Sequence, residues 1–339
     1  MENKSPVVAF HVDKEVAGED AEKLRDSALA PLRLVDAADV AWTSDWNATR
    51  GRLRSYRSYY CLCFAVLHSP FEATLLMNAD TLFVENPSRW WHLPNVQRTG
   101  VLFFSDKVSR YLWNSAAGRI SVCNETRAFA NTYGYPLRST FEADYGSFCS
   151  GETRHKLESS FTLLNRSHVG VVRLLATLRH LLWHVFDRSR ESERQFHVAH
   201  WGYGDKELYW LASELAGHTP YFSPRGPPAA VGPLKGAHKR ATCFAHLVPV
   251  GNGAVSAQDS DISHLNMAHD CGWDADDANA NAHPFGVKAP LWSSPFSHKV
   301  VRHLSPDEAQ MFAAFRHDVS TSMASSSRPE TRGAIEKGE

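Results

Sequence analysis

Short apolar runs alternate along this chain with longer amphipathic stretches. Pro6 to Val12 (PVVAFHV) reads as a buried strand, the charged, Ala-rich stretch from Glu15 to Leu29 as a helix, and Leu32 to Val35 as a second strand, together a β-α-β opening. A helix from about Arg52 to His68 precedes Ala73 to Met77, a short apolar strand that runs straight into Asn78-Ala79-Asp80. Val101 to Phe104 supplies another strand, and Phe161 to Leu164 one more. The strongest helical periodicity begins at Ser167, read as an N-cap, and sets Val171, Leu174, Leu175, Leu178, Leu181, Leu182, Val185 and Phe186 on one wide face. A further helix runs from Asp205 to Ala216 and stops at Gly217. Strands alternating with helices predict an α/β fold, a mostly parallel sheet flanked by helices on both faces.

Beyond that point the pattern thins. Pro220 to Gly236 is rich in Pro and Gly and reads as loop, residues 249–299 are polar and turn-rich, a last short helix follows Pro306, and 319–339 has the composition of a disordered tail. No repeat is present. The expected organisation is a single domain over 1–318, in two parts at about 1–110 and about 111–318. The formal charge of −1 offers no positive field for counterion release, which sets nucleic acid aside as a main partner. No apolar run approaches the roughly 18 residues of a membrane span.

Six cysteines, at 61, 63, 123, 149, 243 and 271, contain no C-x-x-C pair, so zinc-ribbon and thioredoxin readings fail and the pairing stays open. Their even number, with N-x-[ST] sequons at Asn3, Asn47, Asn124 and Asn165, favours a secretory-pathway lumen over the cytosol.

The best candidate for chemistry is the end of the ATLLM strand. A carboxylate there, Asp80, sits where open α/β sheets bind ligands and can hold a hard divalent cation through oxygen; alternatively Asn78 and Asp80 only make a turn by bonding local backbone. Asp205, in Tyr203-Gly204-Asp205-Lys206-Glu207, is either the N-cap of its helix or an acid that receives a substrate hydroxyl. Glu158-Ser159-Ser160 leads into a strand and is open to the reading of an ordinary loop. His180 and His184 are spaced i,i+4 but Leu181 stands where a zinc protease needs Glu, and dinucleotide, P-loop and α/β-hydrolase strings do not occur.

Taken in order, four of these pieces resemble the fungal-type α-1,3-mannosyltransferase family of the GT-A fold. They are Ser69-Pro70-Phe71-Glu72 through Asn78-Ala79-Asp80 with Glu85-Asn86-Pro87 after it, Gly100-Val101-Leu102-Phe103-Phe104-Ser105-Asp106, Glu158-Ser159-Ser160, and Tyr203-Gly204-Asp205-Lys206-Glu207. The likeness covers roughly residues 52–235 and weakens through 270. It implies a retaining glycosyltransferase that uses GDP-mannose as donor, manganese or another divalent cation as cofactor, and a glycan or glycoprotein as acceptor. Asp80, Asn78 and His264, of His264-Leu265-Asn266, are then the expected metal ligands. Arg54 and Arg57 are the expected phosphate partners because a guanidinium pairs well with phosphate oxygens, and Asn78 and Lys206 complete the nucleotide-side set. Asp205 and Glu158 are the expected catalytic or acceptor-side residues.

Two departures from the family pattern bear on this. Asn78 offers a neutral carbonyl oxygen in place of the first carboxylate, which weakens a cation site, and Ser160 stands where the family has Gly. The leading expectation is a luminal Golgi or ER enzyme, type II-anchored through a segment outside this chain. The alternatives are a catalytically silent GT-A-fold domain that binds glycan or a partner, a transferase that uses a UDP-sugar, and a cytosolic enzyme.

Overall fold

The computed structural model describes residues 5–12, 16, 18–27, 31–40, 60–78, 81–83, 86–106, 116–150, 155–186, 198, 201, 205–223, 229–231, 243–249 and 260–266. The chain opens as expected: β1 (Val7–His11), α1 (Gly18–Ser27) and β2 (Leu32–Asp36), with β1 and β2 paired in parallel from Val7↔Leu32 to His11↔Asp36. A short helix α2 (Ala37–Val40) follows. Helix α3 (Cys61–His68) enters β3 (Ala73–Met77). Arg166, from the far end of a later strand, donates Nη1 to the Ser69 carbonyl at 2.7 Å and Nη2 to the carbonyls of Val66 and Leu67. A guanidinium on the orphan carbonyls of a helix end is a C-cap supplied from outside the helix, and it fixes where α3 hands over to β3.

Strand β4 (Leu82–Phe83), a 3₁₀ turn over Pro87–His92 and α4 (Pro94–Thr99) lead into β5 (Val101–Ser105). Gly100 ends α4 with φ +71°, and a Cβ there would lie 2.6 Å from His168 Cβ, so both the turn and the close approach require glycine. Helices α5 (Ala116–Tyr133), α6 (Phe141–Asp144) and α7 (Gly146–Cys149) follow, with Cys123 of α5 joined to Cys149 of α7 by a disulfide. Next come β6 (Leu157–Asn165), α8 (Val169–Phe186) and α9 (Leu208–Leu215). The apolar face of α8 is the one the periodicity picks out, and all eight of its residues are buried. By length and hydropathy alone α8 passes for a membrane span, yet that face is packed in the core, with Arg173 and Arg179 exposed on the other side.

The expectation of a mostly parallel sheet is corrected. The central sheet has the order β3-β6-β5 and both pairings are antiparallel; a further sheet, β4-β9-β8-β7, is antiparallel throughout. Continuous apolar strands report burial on both faces, and that is what they do here: Val101 and Phe103 face the main core with α3, α8 and α9, while Leu102 and Phe104 join Trp90, Val96, Phe161 and Leu163 on the other side. Two-sided burial says nothing of strand direction, which is set by pairing between segments far apart in the chain. Because β6 runs against both neighbours, β3 and β5 are parallel to each other, and their carboxyl ends flank the amino end of β6.

Other details also differ. Ala229–Val231 forms β7 inside the Pro/Gly-rich segment read as loop, and it pairs with β8 (Cys243–Pro249), which pairs with β9 (Ser260–Asn266). Glu158-Ser159-Ser160 lies within β6, not in a loop before it. Ser167 does not cap α8: its hydroxyl bonds the Glu72 carboxylate, and the local turn is made by Asn165 Oδ1 accepting from Ser167 N at 3.0 Å. Residues 52–59 of the expected helix, the helix after Pro306 and the 319–339 tail lie outside the described residues.

Candidate functional site

The geometry of the three central strands brings three of the four motif pieces together. The Asn78 backbone N donates to the Ser160 carbonyl at 2.9 Å, one residue beyond the last β3–β6 pair, Met77↔Phe161, and Thr81 Oγ1 donates to the same carbonyl at 3.0 Å. Ser160 N in turn donates to Glu158 Oε1 at 2.9 Å. One residue of β6 thus takes both Asn78 and Thr81 on its carbonyl and orients the Glu158 carboxylate with its N–H. On the other side, Phe104 pairs with Glu158, and Asp106 N donates to the Lys156 carbonyl at 3.0 Å just past the end of β5.

The fourth piece arrives with the turn before α9. Lys206 Nζ lies 2.9 Å from Asp106 Oδ2 and 3.6 Å from Glu158 Oε2. Burial pulls the Lys206 ammonium down, yet the carboxylates of Asp106 and Glu158 outweigh it and leave the amine above its ordinary range. Burial raises the Glu158 carboxyl, with Lys206 opposing and Asp106 reinforcing the rise. Asp205 is buried beside Tyr209 and Cys63, and burial lifts its carboxyl to about 7. Its Oδ2 has no hydrogen-bond partner among the described residues. It is not the helix cap: α9 starts at Leu208, the Asp205 carbonyl accepts from Leu208 N at 2.9 Å, and the side chain is left for something else.

Glu207, also fully buried, fastens this turn to the start of β6, accepting from His155 Nδ1 at 3.0 Å, from Lys156 N at 3.3 Å and from Trp210 Nε1. Sequence reasoning did not single out Asp106, Lys156 or Glu207 as site residues. For Asp106 the signal was present, since a carboxylate directly after the buried run VLFFS is the same pattern that drew attention to Asp80. Glu207 sat unremarked in the Asp-Lys-Glu string, because nothing local tells a clamp from a solvated acid.

Of the expected metal ligands, Asn78 is half-buried at the end of β3, and His264 lies in β9 with its register partner Phe83 in β4, three residues after Asp80. The strand pairing therefore sets the backbone of His264 beside Phe83. Asp80, Arg54 and Arg57, and the side chain of His264, are outside the described residues. Among the described residues no three His, Cys, Asp or Glu side chains gather as a cation site. Asp106 and Glu158 already hold the Lys206 ammonium, which repels a second cation there, so Asn78 with Asp80 and His264 stays the expected set.

Asp106, Glu158, Lys156 and Lys206 gather at the strand ends of a sheet buried on both faces, an arrangement suited to a polar, charged ligand. A sequence model of the family described as "Mannosyltransferase putative" matches residues 1–269, and the chain belongs to that family. The resemblance read from the four motif pieces is borne out, and its family is one of glycosyltransferases. Similar curated relatives are "Putative alpha-1,3-mannosyltransferase MNN14" of Candida albicans, 23% identical over 72% of this chain and 34% of the relative, and two proteins of Saccharomyces cerevisiae. These are "Alpha-1,3-mannosyltransferase MNT2", 23% identical over 50% of this chain and 30% of the relative, and "Alpha-1,3-mannosyltransferase MNT3", 24% identical over 66% and 35%. The chain spans about a third of the length of these relatives.

Proposed function

We propose that this chain carries out retaining transfer of mannose from GDP-mannose to a glycan or glycoprotein acceptor, in a GT-A-type single domain over 1–318 that works in the Golgi or ER lumen. The observation that carries the reading is the meeting of Asn78, Asp106, Glu158 and Lys206 at one edge of the β3-β6-β5 sheet. Family membership and the relatives' names supply the sugar and the reaction class.

In this reading Asp80, the Asn78 amide oxygen and His264 would hold a divalent cation, manganese by expectation, which would supply Lewis-acid stabilisation of a leaving diphosphate. The chain's own groups do the rest. Arg54 and Arg57 pair with phosphate oxygens. Lys206 holds Asp106 and Glu158 in one orientation beside the donor. Glu158, fixed by Ser160 N and Lys206, bonds a sugar hydroxyl, and Asp205, lifted by burial to about 7, takes up the acceptor proton.

The test is a thermal-shift screen with GDP, UDP and CMP, each with and without manganese, on wild type and Asp80→Ala. Ligands that bind the folded state raise the melting temperature by mass action. A manganese-dependent GDP shift that vanishes in Asp80→Ala is the expected result. A UDP shift in its place reassigns the sugar. A second reading, a silent domain that binds glycan or a partner, is favoured by Asn78 in the first motif position, and total indifference to nucleotides selects it.

A further inference from the structure

Two lysines stand at the amino end of β6, and the structure treats them in opposite ways. Lys206 is matched by two carboxylates, Asp106 at 2.9 Å and Glu158 at 3.6 Å. Lys156 has none. Its main chain is fixed on both sides, the N–H by Glu207 at 3.3 Å and the carbonyl by Asp106 N at 3.0 Å, so the side chain leaves the strand at a defined point. Its ammonium lies 4.6 Å from the ring centre of Phe222 and 5.8 Å from that of Tyr145, with the Ser105 hydroxyl 3.5 Å away as its polar neighbour. The nearby acids are committed elsewhere: Glu207 to His155, Trp210 and the Lys156 backbone, Asp106 and Glu158 to Lys206. Burial pulls the Lys156 amine below its ordinary range, with Glu207 opposing the fall.

A cation that is largely stripped of water and faces aromatic rings instead of an acid is unfavourable by itself and gains from any anion that reaches it. We propose that Lys156 is an anion-binding residue of this site, with the Ser105 hydroxyl beside it as a second donor, and that the anion is the diphosphate of a nucleotide sugar. The identity of the natural ligand rests on the nucleotide-sugar reading above; the anion preference does not. A lysine suits the task as a compact point charge on a group whose oxygens are all equivalent acceptors, and the low local dielectric strengthens the contact as charge grows on a leaving diphosphate. The placement agrees, because Ser105 and Lys156 sit at the carboxyl end of β5 and the amino end of β6, the same edge that holds Asn78 and Asp106.

The experiment compares the full chain as wild type, Lys156→Met and Lys156→Arg, titrated calorimetrically with inorganic pyrophosphate, GDP and guanosine, alongside the melting temperature of each unliganded protein. The expected result is a weakening of pyrophosphate and GDP binding by roughly 10- to 100-fold in Lys156→Met, largely restored in Lys156→Arg, with guanosine unaffected. The unliganded Lys156→Met protein is expected to melt no lower than wild type and up to about 2 °C higher, since no ion pair is lost and a desolvated charge is removed. A structural lysine does the reverse, so a fall in melting temperature with unchanged pyrophosphate affinity overturns the proposal. So does a wild type that fails to bind pyrophosphate. Pyrophosphate binding that depends on Lys156 with no preference for GDP supports this site and overturns the nucleotide reading, whereas GDP binding untouched by Lys156→Met does the opposite.

Discussion

Two buried glutamates, 56 residues apart in sequence, teach how differently one fold uses the same side chain. Glu214 on α9 is saturated: Arg138 grips it with both arms, Nε at 2.9 Å and Nη2 at 2.7 Å, and Tyr145 donates its hydroxyl at 2.7 Å. Arg138 also holds Asp144 at 2.8 Å, so the cluster ties the connection after α5, helix α6 and α9 into one block. Glu158 is not saturated. It receives one backbone N–H and shares a single lysine with Asp106, close to an Asp205 whose Oδ2 is unpartnered among the described residues. The first arrangement is a bidentate pair whose geometry leaves nothing to add. The second sets two carboxyls on one ammonium and raises the Glu158 and Asp205 carboxyls by burial, the state expected of groups that await a ligand.

The comparison predicts which cluster the fold depends on. Arg138→Met leaves Glu214 buried with only the Tyr145 hydroxyl to answer it, and the expected loss is about 3–5 kcal/mol of unfolding free energy in urea titration. Nucleotide binding by the fraction that stays folded is expected to be unchanged. An Arg138→Met protein as stable as wild type breaks the contrast at its stronger end.

Asp205→Asn comes next and acts with the opposite sign. The folded carboxyl is lifted to about 7, above the ordinary value it regains on unfolding. Below about pH 4 both states are protonated and the group contributes nothing. As the pH rises toward 7 the unfolded chain releases the proton while the folded chain keeps it, so wild type loses stability across that window and the loss is complete above it. Asparagine has no such slope. The variant is expected to match wild type near pH 4 and to exceed it above pH 7 by up to about 4 kcal/mol, read from melting curves across pH. Parallel curves at all pH values refute the buried, ionisable Asp205 described above.

Replacing Cys123 and Cys149 with serine opens the link between α5 and α7. That link anchors Phe148, which packs edge-on to Trp210 at 5.4 Å, and Trp210 lies tilted against Tyr145 of the saturated cluster at 4.3 Å. For a loop of this size the expected destabilisation is about 3 kcal/mol. It is expected to appear equally in the oxidised double-serine protein and in wild type under reductant; equal stability of all forms removes the disulfide from the scaffold.

Much of this contrast was legible before any coordinates, but unevenly. The α8 face, the bounds of β3 and the β1-α1-β2 opening follow from period and burial, because those elements are decided by which side meets the core. The site was half legible. Asp205, Glu158, Asn78 and Lys206 stand in strings of unusual residue type at strand and helix ends, whereas Asp106, Lys156 and Glu207 acquire meaning only when β6 is inserted antiparallel between β3 and β5. No local signal specifies that insertion, as it is set by pairing between segments far apart in the chain. The pairing of Cys123 with Cys149 and the strand at Ala229–Val231 were hidden for the same reason, and the saturated Glu214 cluster looked like any polar residues on an amphipathic helix.

The smallest effect on stability is the sharpest test of the comparison. Glu158→Gln keeps an oxygen for Ser160 N and removes only one of the two carboxylates around Lys206, which still holds Asp106 at 2.9 Å. Because burial already biases Glu158 toward its neutral form, a neutral isostere is expected to change unfolding free energy by less than about 1 kcal/mol. Glu214→Gln, in contrast, strips the charge that Arg138 grips and is expected to lose about 2–3 kcal/mol. Under the proposed function, Glu158→Gln is nonetheless expected to lower mannosyl transfer by about 100-fold or more, measured with GDP-mannose and a mannoside acceptor at saturating donor. A stable Glu158→Gln protein that has lost transfer, beside a destabilised Glu214→Gln protein that keeps it per folded molecule, separates the site from the scaffold. If the two variants fall together in stability and in activity, Glu158 belongs to the scaffold as well, and the acid that works on the sugar must be sought in Asp205.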